Sequence, residues 1–215
     1  MVFVNKELRA ELLRRVAADQ EARHARDARA MAAADGENLP WLRQVITDVG
    51  WPGKSLVGED GAQAAWLLAQ HAGRDPALQR RCLDLLTAAV QRGEATLVQQ
   101  AYLTDRVLRH EGKPQEYGTQ ATSRDGRLEP QKLRDPDHVD QRRASVGLGP
   151  LAGYLARMAE RRAPEPNAGA APGLPGDYRG LAAETRPGGP FPARHAMYQR
   201  GSIRRTASGR NERFV

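Results

Sequence analysis

The sequence predicts a mainly α protein: a compact helical domain with a small β-hairpin, followed by a disordered tail. Three observations carry this. Apolar residues recur at helical spacing through the first 110 positions, beginning with Leu8, Leu12 and Val16. Capping and turn residues, among them Asp75-Pro76 and Asp125-Gly126, punctuate the chain at short intervals. From residue 163 the periodicity stops, and half of the 14 prolines lie beyond that point.

Asn5 caps a first helix that the pattern carries to about residue 34. Its second half, "DQEARHARDARAMAAAD", is rich in alanine and charge and reads as helical but largely solvated. Asp35-Gly36 is expected to end it. A short helix follows over 39–48, with Pro40 in its first turn, where a missing N–H does no harm. "GWPGKSLVGEDG" is turn-rich, with Trp51 packed on the core. Helix three spans about 60–71. Helix four opens on Asp75 as cap and Pro76 as first residue, with Leu78, Cys82, Leu85 and Ala89 inward. Helix five covers about 95–110, and its short links to helices three and four predict antiparallel neighbours.

Beyond Gly112, "YGTQATS" and "LEPQKL" flank "RDG" and read as a hairpin, Pro130 confining the second strand to an edge. Two short helices, about 136–145 and 151–161, close the folded part. The reading thus divides the chain into an N-terminal helix (1–37), a helical domain (38–162) and a basic Pro/Gly-rich tail (163–215). Ordering such a tail costs about 1–2 kcal/mol per residue in backbone entropy, with little apolar burial to offset it.

Composition narrows the function classes. No stretch approaches the apolar length of a membrane span, and the charged N-terminus does not read as a signal peptide, so a cytoplasmic location without membrane association is expected. One cysteine excludes an internal disulfide, and Cys82 among leucines reads as core. The net charge of +7 is spread along the chain without a nucleic-acid motif. Salt-sensitive adhesion to polyanions is expected, and nucleic acid as a specific partner is not. "WPGKSLVG" contains Gly-Lys-Ser, but Asp48 stands where a phosphate-binding loop needs its first glycine. His24, His110, His138 and His195 lack ligand spacing, so neither a metal nor a cofactor is expected.

The candidate site rests on polar residues that core packing would not select. His71 ends helix three on the face of Ala64, Leu67 and Leu68, with Gln70 before it and Asp75 four residues on. Arg106 follows Tyr102 by one helical turn and can clamp a carboxylate or phosphate. "QEYGTQ" gathers Tyr117, Thr119 and Gln120 around Gly118. The expectation is that the end of helix three and this segment share a site for a small polar or anionic ligand. His71 would carry the proton, Tyr117 would serve as acid or donor, and Gln70, Thr119 and Gln120 would orient the ligand. Arg106 or Arg143 would anchor an anion. The alternative is a non-enzymatic helical adaptor whose polar cluster is structural and whose basic tail binds an acidic partner. The oligomeric state does not follow from the sequence.

"GWPGKSLVG", "AAWLLAQHAGRDPALQ", "AYLTDR", "QEYGTQ" and "RRASVGLGPLAGY", in this order, resemble an uncharacterised bacterial domain-of-unknown-function family over roughly 38–154. Its recurrent positions fall on Trp51, Pro52, Gly58, Gln70, His71, Asp105, Arg106, Tyr117, Gly118, Thr119, Gln120, Arg143, Gly147 and Leu148. The resemblance implies no reaction, and it leaves the N-terminal helix and the tail outside.

Overall fold

A computed structural model describes residues 4–124 and 127–162. Among them are seven α-helices and one two-stranded antiparallel hairpin: α1 (Lys6–His24), α2 (Ala28–Val49), α3 (Lys54–His71), α4 (Pro76–Gln91), α5 (Leu97–His110), β1 (Ala121–Arg124), β2 (Arg127–Pro130), α6 (Val139–Ser145) and α7 (Leu151–Arg162). The mainly helical class and the hairpin agree with the sequence. The Asp125-Gly126 turn and the expected disordered tail lie outside the described residues.

Asn5 caps α1 as expected, its Oδ1 accepting from the Leu8 N–H at 2.9 Å. The single helix to residue 34 is not formed. The chain breaks at Ala25–Asp27, where Arg26 adopts a left-handed φ of 52°. That conformation costs a non-glycine residue about 1–2 kcal/mol. Asp27 offsets part of it by capping α2, accepting from the N–H groups of Arg29 and Ala30. The break lets α2 fold back along α1, where Arg23 reaches Asp35 at 2.8 Å.

The short helix over 39–48 is likewise corrected. α2 runs unbroken through Gly36 and Pro40. Pro40 removes one backbone bond, to the carbonyl of Gly36. Burial of Leu42, Val45 and Ile46 holds the helix together across that gap.

α3 begins at Lys54, earlier than expected, and bends at Gly58, whose φ of 76° only glycine adopts readily. Gly53 has no side chain to cap it. The Glu94 side chain does so from the α4–α5 turn, Oε2 accepting from the Ser55 N–H at 2.8 Å. A Cβ on Gly53 would stand 2.7 Å from that of Glu94. The Gly-Lys-Ser stretch therefore receives an internal carboxylate at its helix N-terminus.

α3 forms the centre of the core and packs against α1, α2, α4 and α5. Its own Val57 and Trp66 are fully buried, as are Leu12, Leu42, Leu86 and Leu103 around it. Cys82 lies in this core, and burial pushes its thiol up to about 12. Asp75 caps α4 with Pro76 in the first turn, as read from sequence. α5 starts at Leu97 rather than Ala95, because Thr96 and Gln99 close a reciprocal capping box there.

The first strand is shorter than expected. Tyr117, Gly118, Thr119 and Gln120 stay outside it, and pairing runs from Ala121 opposite Pro130 to Arg124 opposite Arg127. A side-chain carboxylate takes the backbone donors of this segment, as described below.

Candidate functional site

The C-terminal end of α3 is held by side chains from two other helices. Its last carbonyls are short of α-helical partners, that of Ala69 accepting instead from the Ala72 N–H in a tighter turn. The Gln79 amide of α4 donates to two of them, those of Ala69 at 2.9 Å and Gln70 at 3.0 Å. Gln79 Oε1 in turn accepts from His110 Nδ1 at 2.8 Å. Gly73 makes room for this imidazole, since a Cβ there would meet His110 Cε1 at 2.7 Å.

His71, the last residue of α3, is nearly buried and faces α1. Its Nδ1 lies 2.5 Å from Oδ2 of Asp19, a carboxylate only 1% exposed. Asp19 Oδ1 also accepts from Arg23, which extends to Asp35. Burial pushes the Asp19 carboxyl up. The hydrogen bonds and charges of His71 and Arg23 outweigh this and hold it below the usual carboxylate range. Burial lowers the His71 imidazole below its ordinary value, and the positive charges of Arg23 and Arg106 act the same way against the pull of Asp19. These influences together favour the uncharged ring. In the neutral ring, a carboxylate at Nδ1 favours the tautomer with its proton there and its lone pair on Nε2.

The second member of the pair in sequence, Gln70, is also buried. Its Oε1 accepts from Arg106 Nε at 2.8 Å, tying α3 to α5. Its Nε2 has no hydrogen-bond partner among the described residues, a condition it shares with Trp51 Nε1. Leaving such a donor unsatisfied costs about 1–3 kcal/mol.

The residue before Arg106 organises a different group. Asp105 is fully buried, and its two carboxylate oxygens accept from the backbone N–H groups of Glu116, Tyr117 and Thr119 at 2.8–3.3 Å. Burial raises its carboxyl, opposed by those same donors. Gln115 works beside it, donating to the Gln120 carbonyl and accepting from the Gln120 N–H. Gln120 Nε2 donates to Thr119 Oγ1 at 3.2 Å. Arg143 is buried and donates to the carbonyls of Tyr117 and Gly149, with its guanidinium over the Tyr154 ring. Tyr154 returns a hydrogen bond from its hydroxyl to the Thr119 carbonyl. Burial raises the Tyr117 phenol, with the charges of Glu116 and Asp105 adding to the effect, so it remains a protonated O–H at neutral pH. The polar cluster at 115–120 thus largely satisfies itself.

The expected site residues therefore fall into two groups joined through α5. His71, Gln70 and Arg106 gather at the end of α3. Tyr117, Thr119, Gln120 and Arg143 gather around Asp105. Among the described residues no hydrogen bond joins His71 to Tyr117 or Gln120. Asp75, four residues after His71, caps α4 as read from sequence and pairs with Arg43. Asp19 was missed, because it lies in the half of α1 read as solvated. The one signal available was its i, i+4 relation to Arg23. Among the described residues no group of three or more His, Cys, Asp or Glu side chains is placed to hold a metal, and no helix is long and apolar enough to cross a membrane.

Comparison with protein families matches residues 7–163, most of the chain, to DUF6624, a family of unknown function. The chain belongs to that family. The DUF6624 match starts within α1, so it takes in Asp19, nearly all of α1 and the first part of α2, which the sequence resemblance left outside. No curated protein and no solved structure matches the chain.

Proposed function

We propose that this DUF6624 protein binds a small polar molecule beside the end of α3 and acts on it with His71 as general base. The observation that carries this reading is the buried 2.5 Å contact between His71 Nδ1 and Asp19. A core histidine needs only a partner. This one has a buried carboxylate that selects its tautomer and steadies the cation formed when Nε2 takes up a proton. The Nε2 lone pair would accept a proton from water or from a substrate hydroxyl. Asp19 would remain ionised throughout, with Arg23 and Asp35 fixing its position. Arg106, whose charge bears on His71, would favour an anionic group on the ligand. The segment containing Tyr117, Thr119 and Gln120 would act at one remove, by fixing α5 through Asp105.

The test compares the full chain with His71→Asn for turnover of p-nitrophenyl acetate and p-nitrophenyl phosphate, with circular dichroism as the check on folding. General-base removal should lower turnover about 10²–10⁴-fold while the helical signal is kept. No turnover by the unsubstituted protein, or equal turnover by a folded His71→Asn protein, would overturn the proposal.

A second reading is favoured by the closure of the 115–120 network on itself. It makes the protein a helical adaptor in which both polar groups are internal cement. In that case His71→Asn unfolds the domain without an activity to lose.

A further inference from the structure

We infer that the molecule bound beside His71 presents an oxyanion, from a carboxylate or a phosphate, to the side-chain amide of Gln70. The inference rests on the binding reading above and adds the chemical class of the ligand. Gln70 is 1% exposed. Its Oε1 accepts from Arg106 Nε, and this fixes which way the amide points, since turning it over would set N–H against N–H. Two N–H donors on Nε2 are then left without an acceptor among the described residues.

Buried donors in folded proteins are seldom left this way, and the surroundings show that this end of α3 is otherwise well satisfied. The Gln70 carbonyl already accepts from Gln79, and His110 completes that chain. The missing partner must be an acceptor, which excludes ammonium and guanidinium groups from that position. Charge then separates anionic acceptors from neutral ones. Arg106 is bonded to the same amide and polarises its N–H groups toward negative charge. Asp19, the acidic partner of His71, is drawn to Arg23 and to His71 on the α1 side. Arg106 is bonded to this amide and its charge also bears on His71, so an oxyanion held there lies within electrostatic reach of the imidazole.

The side-chain amide resonances of Gln70 report on this directly, identified by their loss in Gln70→Glu. That variant keeps an oxygen for Arg106 and removes the donors. The protein is titrated with sodium phosphate, sodium acetate and neutral acetamide at constant ionic strength. A saturable shift of the Gln70 amide with phosphate or acetate, and none with acetamide, is expected. Which anion acts tells a phosphate ligand from a carboxylate. Binding followed at the His71 backbone amide should weaken at least about tenfold in Gln70→Glu, equivalent to about 1.4 kcal/mol. A Gln70 amide unmoved by both anions, or moved equally by acetamide, overturns the inference, and the unsubstituted protein alone decides this if the variant does not fold. An anion response with turnover that survives His71→Asn keeps the oxyanion site and removes the catalytic reading. Lost turnover with an unmoved Gln70 amide does the reverse.

Discussion

His71 Nδ1 lies 2.5 Å from Oδ2 of Asp19, a contact that joins the end of α3 to the C-terminal half of α1 across 52 positions of sequence. Both side chains are almost out of solvent, and Arg23 supplies the countercharge. This contact is therefore a structural tie and, on our proposal, the device that sets the tautomer of a base.

Removing the carboxylate tests the tie. Asp19→Ala leaves the imidazole without its partner and Arg23 with Asp35 alone. Breaking one side of a buried ionic cluster costs about 3–5 kcal/mol. Urea unfolding should show a loss near the lower end, since Arg23 keeps one partner. A change below about 1 kcal/mol would mean that Asp19 contributes little to stability.

The pH dependence follows from the direction of the histidine shifts. His71 and His110 both sit below the ordinary 6.5 in the folded protein, each chiefly through burial. The unfolded chain therefore binds protons that the folded chain does not as pH falls below 6.5, and stability drops in that window. The lowered Asp19 carboxyl adds a further loss below about 3.8. Thermal melts should show Tm falling between pH 7.5 and 5.5, and His71→Asn should flatten that slope in part.

Asp105 is expected to control a local region. Asp105→Ala leaves three backbone N–H groups without their acceptor, at about 1–3 kcal/mol each if they stay buried. Release of 116–120 is cheaper, so hydrogen exchange should accelerate at Glu116, Tyr117 and Thr119. Core amides of α3 should change much less.

The Glu94 cap predicts a smaller effect. Glu94→Ala removes the acceptor from Ser55 N–H at the start of α3, a loss of about 1 kcal/mol by analogy with side-chain N-caps. Chemical denaturation should report that loss, with turnover unaffected.

Much of the fold was legible because local chemistry and tertiary packing agree. Asp75 with Pro76 starts α4, and the leucine spacing of that helix marks its inner face. The N-terminal third was less legible. Arg26 carries no signal for a left-handed turn, and Gly36 with Pro40 looked like an end that packing of Leu42 and Ile46 overrides. Of the site, His71, Gln70 and Arg106 stood out by residue type and position. Asp19 did not, because a carboxylate in an alanine- and arginine-rich stretch reads the same whether it faces water or a buried imidazole. The 115–120 segment stood out for a reason other than the one expected, since its amides chiefly satisfy backbone and neighbouring side chains.

The tautomer of His71 tests the central claim most directly, through the ring ¹⁵N shifts of the full chain at pH 7. A neutral ring protonated at Nδ1, with a bare Nε2 that loses this preference in Asp19→Ala, is the predicted result. A ring protonated at both nitrogens, or carrying its proton on Nε2, would contradict it and leave the protein without the base on which the proposed chemistry depends.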